Sequence, residues 1–203
     1  KNRPSLKASI FWGLRSPDLA PILENFPPFP YVRESRRIVG VSTLTERDIR
    51  RDRRVGKAWK RYPTSLALGE YPVDIHGSHL DRYMEHDLGE TEASFPRTWV
   101  PSEGVFQVPF EVFVPERVDG LVAAEKNLSV SRMVNGAIRL QPIALLTGQA
   151  AGALGVLAAR EGVPPRSVDP LKVQAVLWQG RSHLSMDRFD DVPDESPWWP
   201  GLE

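Results

Sequence analysis

Residues 135–159, "NGAIRLQPIALLTGQAAGALGVLAA", constrain this chain more than any other stretch, because a polar turn bearing Arg139 runs directly into a charge-free segment rich in Gly and Ala. Pro142 stands where a first helical residue tolerates a missing N–H, and Gly162 stands where helices end on glycine. Together they predict one helix over 142–161, about 30 Å long at roughly 1.5 Å per residue. Gly148, Gly152 and Gly155 fall on one face of it, each costing roughly 1 kcal/mol relative to alanine. Something flat or bulky is therefore expected against that face. A plain core helix is the bland alternative. A membrane span is the weakest reading, since spans take about 20 strongly apolar residues and this run carries Thr147, Gln149 and three glycines.

Composition narrows the chemistry. Lys plus Arg total 26 and Asp plus Glu total 26, so the formal charge is zero and neither nucleic acid nor an anionic membrane surface is expected as partner. The chain has no cysteine, which removes disulfides, thiolate nucleophiles and Cys-ligated metals together. Any redox chemistry must be borrowed from a cofactor. The 203 residues suffice for one domain with a real interior. The sequence opens on Lys1 with no initiator Met and no signal-like or transit pattern, as a processed or partial product would.

Three regions are expected. Residues 1–30 form an extended, Pro-rich lead-in, 31–184 the compact part, and 185–203 an acidic Pro/Trp tail. Within the compact part, "RRIVGVSTL" from Arg36 reads as a strand. Thr45 and Asp48 fit a capping box for a short basic helix. "TSLALGEYPVDIHG" gives an apolar turn and then an extended segment ending at His76, and 77–103 reads as a long polar excursion. "VFQVPFEVFVPE" suggests two short strands broken by Pro109 and Pro115, and "DGLVAAE" a buried strand. Asp169, Pro170 and Gly180 bound a last helix with an apolar stripe of Leu171, Val173, Val176 and Leu177. The fold class expected is α/β, with short mixed strands and one long Gly/Ala helix.

Because "NGAIRLQP" ends where that helix begins, the free N–H groups and the positive dipole end face the space that Asn135, Arg139 and Gln141 line. Such a terminus stabilises an anion, or a ring that gains negative charge. The pyrimidine edge of a reduced flavin fits that description.

The motifs "YVRESRRIVG", "YPVDIH", "VPFEVFVPERVDGLVAAEKNLSVSRMVNGAIRLQP" and "TGQAAGALGVLAAREGVPP" together resemble the C-terminal half of bacterial FAD-dependent oxidoreductases often described as xanthan-lyase-like. The resemblance covers most of residues 28–184 in the expected order. It implies FAD as cofactor and the C-terminal portion of an FAD/NAD(P)-binding-type fold. It also implies that Glu125, Asn127, Ser129 and Ser131 lie near the cofactor. Asn135, Gly136, Arg139 and Gln141 would approach the isoalloxazine, and the helix from Pro142 through Thr147, Gly148 and Gln149 would aim its N-terminus at the flavin N1/O2 side. Arg33, Glu34, Arg36 and Arg37, with Asp74 and His76, would face a small-molecule substrate. No G-x-G-x-x-G occurs in the 203 residues. The resemblance therefore implies that the nucleotide-binding half precedes this stretch or comes from another chain.

Each of these sites has a plainer reading. His76 beside Asp74 could act as a general base, or be a loop histidine bonded to backbone. The Arg33, Arg36 and Arg37 group could clamp a carboxylate or sugar acid, or form strand-edge ion pairs. His76, His79, Asp81, His86 and Asp87 match no zinc spacing, so no metal is expected. No G-x-S-x-G elbow surrounds Ser129 or Ser131, which puts hydrolysis low, and no acid and base pair supports a polysaccharide lyase. Trp198 and Trp199 suit a partner contact. "RFDDVPDESPWW" resembles the opening of an S-layer homology module, which would place the protein at the cell envelope or outside the cell. The expected function is the ring-contacting, substrate-facing part of an oxidoreductase that moves a hydride from a hydroxylated or sugar-like substrate to FAD. The alternative is a non-catalytic envelope or assembly subunit derived from a flavoprotein.

Overall fold

Residues 36–49, 62–75, 85–90 and 105–184 are those that the computed structural model describes, and their core forms where a two-stranded ribbon meets a long helix. Strand β1 (Ser65–Gly69) pairs antiparallel with β2 (Phe106–Pro109), Ala67 opposite Val108 and Gly69 opposite Phe106. Gly69 is required by its partner: a Cβ there would stand 2.3 Å from the Phe106 ring. Pro109 closes the ladder, and Phe110–Val112 turn in a 3-10 helix. The second strand expected after Pro109 is thus replaced by a turn. The run from Arg36 also forms no strand, making isolated bridges from Gly40 to Pro115 and from Leu44 to Val130 instead. A β-branched run needs a continuous ladder partner, and here the chain bends at 41–42 between two different partners. Residues 119–125 are irregular as well, with Leu121 exposed and Glu125 at a left-handed φ of 54° that ends any extended run.

Helix α1 (Glu46–Ile49) begins as its sequence predicts. The Thr45 backbone N–H donates to Asp48 Oδ2 at 2.8 Å and the Thr45 hydroxyl to the same oxygen at 2.9 Å. The rest of the expected basic helix lies outside the described residues.

Helix α2 (Arg132–Ile138) occupies what the sequence presents as a turn. Ser131 caps it, accepting from the Val134 N–H at 3.3 Å. Carboxylates from residues 85–90 take the other leading N–H groups, Glu85 from Arg132 at 2.7 Å and Glu90 from Met133 at 2.9 Å. Glu90 is fully buried and also accepts from the Glu85 N–H, and Glu85 pairs with Arg37. Acidic groups at a helix N-terminus satisfy orphan donors and complement the dipole.

Helix α3 (Gln141–Glu161) starts one residue before the expected position and ends at Gly162, whose φ of 66° is left-handed. Ile143, Thr147, Ala150, Leu154 and Ala158 form its buried stripe, which faces β1 and the last helix, α4 (Pro170–Gln179). By length and composition alone α3 could cross a membrane, yet that stripe seats it on the core. Its other side carries Leu145, 74% exposed, and Val156, 51% exposed. A Cβ on Gly148, Gly152 or Gly155 would meet nothing within 4 Å among the described residues. The close packing expected on the glycine face is therefore absent there.

Asp169 caps α4 through the Leu171 N–H, as its sequence predicts. Only Val173 and Leu177 of the expected stripe point inward, while Leu171 and Val176 are exposed. Glu161 accepts a hydrogen bond from Lys172 at 2.7 Å, tying the end of α3 to α4. That bond and the carboxylate's charge raise the Lys172 ammonium above its ordinary 10.5. The contact holds below that value and weakens as rising pH strips the proton. Being exposed, it is worth little, and Lys172→Met should leave the thermal midpoint nearly unchanged. The Leu184 carbonyl, at the last described residue, accepts from Ser65 Oγ and Gln107 Nε2, closing this part of the chain onto the ribbon.

Candidate functional site

After β1 the chain runs through residues 70–75 without regular secondary structure, and α2 is pressed against it at Gly136. A Cβ on Gly136 would stand 2.8 Å from the Asp74 carbonyl oxygen, so only glycine allows that approach. The buried guanidinium of Arg139 donates from Nη2 to the same carbonyl at 2.7 Å and lies 3.6 Å from Asp74 Oδ2. Gly136→Ala should destabilise the fold by about 1–3 kcal/mol, the usual range for overpacking a tight contact, read as a lowered midpoint in urea with an unchanged slope.

From Arg139 the chain turns through Leu140 straight into α3. Leu140 offers no side-chain cap, so the N–H groups of Gln141 and Ile143 leave the helix end without an intrahelical partner. A cavity of about 430 Å³ opens here. It is lined by Leu68, Gly69, Glu70 and Tyr71 after β1, Val105 before β2, and Leu140, Pro142, Ile143 and Leu146 of α3 and its approach. Its size suits a small molecule or one ring system.

The residues picked out by sequence fall into distinct groups. Gln141 and Pro142 are at the helix head beside the cavity, with Arg139 just before them. Asn135 and Gly136 lie within α2, buried. Asn135 donates from Nδ2 to the Lys126 carbonyl at 3.3 Å, and its buried Oδ1 accepts no hydrogen bond among the described residues. Ser129 is buried, accepts from the Gly40 N–H at 2.9 Å and shares a bond with Thr43, while Ser131 caps α2. Both serines thus have a local structural use. Glu125 and Asn127 are exposed on a 3-10 turn. Thr147 is buried and bonds back to the Ala144 carbonyl. A Cβ on Gly148 would meet nothing within 4 Å among the described residues, and Gln149 accepts from Ser182. Arg36 is exposed and Arg37 is engaged by Glu85. Arg33, Glu34, His76, His79, Asp81, Trp198 and Trp199 lie outside the described residues. Among the described residues no group of His, Asp or Glu could hold a metal ion.

Sequence reasoning missed the cavity walls Leu68, Glu70, Tyr71, Val105 and Leu146. The signal available was the "LGEYP" stretch at a strand end, where a glycine, an acid and an aromatic follow an apolar run. Its meaning depends on α3 starting alongside it.

A family model described as FAD dependent oxidoreductase matches residues 13–177. The chain belongs to the FAD-dependent oxidoreductase family. Its cofactor is FAD, and the match embraces the ribbon, α2, α3 and nearly all of α4. No curated protein and no solved structure is significantly similar to it. The residues present fit the ring of FAD better than its nucleotide. An uncapped helix end opens on an apolar cavity of a size that a ring system could enter.

Proposed function

We propose that this chain forms the ring-facing and substrate-facing part of an FAD-dependent oxidoreductase, with the head of α3 beneath the pyrimidine edge of the isoalloxazine. The observation that supports this best is the uncapped N-terminus of a long helix opening on an apolar cavity in a chain of this family. Bound there, FAD supplies the acceptor for a hydride taken from a C–H bond of a hydroxylated small molecule.

The chain's own residues would do four things. The Gln141 and Ile143 N–H groups donate toward the ring edge, and the helix dipole favours the negative charge that arrives there. The apolar walls exclude water, which strengthens that field. Arg139, held by Asp74, fixes the helix head against the extended segment that leads to His76. His76 takes the substrate's proton. Polypeptide carrying the fingerprint that this sequence lacks would hold the pyrophosphate, in the same protein or in another chain.

A charge placed at the helix head tests the arrangement. In the FAD-loaded protein, Gln141→Glu should lower the two-electron flavin midpoint by roughly 6–20 mV and Gln141→Lys should raise it similarly. This follows from about 0.3–1 kcal/mol per helix-terminal charge, with 30 mV equivalent to ~1.4 kcal/mol. Leu171→Glu, on the far helix, serves as the control. A midpoint indifferent to both charges at 141 rules out this ring placement.

A further inference from the structure

We propose that Glu70 is an electrostatic counterweight to the head of α3: its carboxylate disfavours the negative charge that the flavin ring gains on reduction, and so lowers the midpoint of the bound ring. This rests on the placement of the ring given above and concerns a residue of the same cavity. Glu70 and Tyr71 directly follow β1, whose ladder to β2 runs to Gly69 opposite Phe106. The strand thus sets the point at which the two meet the cavity. Among the described lining residues Glu70 is the one that carries a charge, and the Tyr71 hydroxyl is the one other polar side-chain group.

No cation of the described lining offsets that carboxylate. Arg139, one residue before the lining begins again at Leu140, is buried and lies 3.6 Å from Asp74 Oδ2 while bonding the Asp74 carbonyl. Glu70 makes no hydrogen bond or ion pair among the described residues, and it is exposed. Its charge therefore has no structural use there.

Two devices of opposite sign then act on one ring. The positive end of the helix dipole favours the electron pair that arrives. The carboxylate opposes it across an apolar space, where charges interact more strongly than in water. Because Glu70 is exposed, water and salt screen part of that opposition. The result is a tuning of a few-fold, with the reduced ring passing its electrons on more readily than the helix end alone would allow.

Lumiflavin, the isoalloxazine without ribityl chain or nucleotide, tests this in the full chain, since it needs no pyrophosphate site. Its dissociation constant is measured by equilibrium titration twice, for the oxidised ring and, anaerobically, for the reduced ring at a pH where that ring is anionic. The ratio of the two constants gives the midpoint shift that the site imposes. Glu70→Gln should tighten the reduced ring about two- to fivefold, the range of a partly exposed charge interaction, and leave the oxidised ring unchanged. At about 30 mV per tenfold, that raises the midpoint by roughly 9–21 mV. Glu70→Asp keeps the charge and should keep the parent ratio, and Glu70→Lys should tighten the reduced ring further than Glu70→Gln does. A parent ratio retained in Glu70→Gln, a reduced ring bound more weakly by it, or equal shifts in Glu70→Gln and Glu70→Asp would each overturn the proposal and leave the ring placement standing. Failure of the parent chain to bind lumiflavin at all would overturn both.

Discussion

Glu90→Ala should be among the most damaging single substitutions in this chain, lowering stability by about 2–5 kcal/mol. The side chain is fully buried, and its removal strands the Met133 and Glu85 N–H groups that it serves. Each buried donor left unsatisfied costs roughly 1–3 kcal/mol. At about 2–4 °C per kcal/mol for a chain of this size, the thermal midpoint followed by circular dichroism should fall by roughly 5–15 °C. Glu90→Gln keeps one acceptor oxygen and should lose about half as much. A midpoint within a degree or two of the parent for Glu90→Ala would mean that α2 is held in some other way. The effect should reach the cofactor, because α2 leads through Arg139 and Leu140 into the head of α3. FAD affinity is therefore expected to fall with the midpoint.

The opposite sign is expected on the open side of α3. Replacing Gly148, Gly152 and Gly155 together by Ala puts methyl groups where they meet nothing within 4 Å among the described residues. Each replacement should contribute roughly 0.5–1 kcal/mol through helix propensity and a less disordered unfolded chain, or about 1.5–3 kcal/mol in all. A midpoint several degrees higher should follow. FAD binding should not change, because even Gly148 is about 10 Å along the axis from Gln141 at roughly 1.5 Å per residue. A lower midpoint would show that this face is covered in the folded protein. A fall in FAD affinity from Gly148→Ala alone would place that glycine against the ring.

The two substitutions also mark what the sequence could and could not disclose. Helix α3 was legible because both its ends are local: Pro142 tolerates the first turn, and Gly162 adopts the left-handed conformation that stops it. The caps at Thr45 and Asp169 were legible for the same reason. Helix α2 was hidden because its support is not local. Asn135 and Gly136 carry turn propensity, and what overrides it is a pair of carboxylates from residues 85–90 and a close approach to Asp74. The glycines misled in a related way. Spacing showed that 148, 152 and 155 share a face but not what stands opposite, whereas Gly136, which does have a close neighbour, has no periodic signature. At the site, the head of α3 could be read from the chain, but the cavity needed β1 brought alongside it, and Glu70 and Tyr71 became relevant only then.

Arg139 gives the site a mechanical property. Its guanidinium is bonded to the backbone of the extended segment at Asp74, and the next two residues enter α3. Residues 70–75 and the head of α3 are thus joined by a truss one side chain long. Neither can drift without dragging the other. Under the proposed placement of the ring and of His76, that truss would fix the span between the acceptors of the hydride and of the proton.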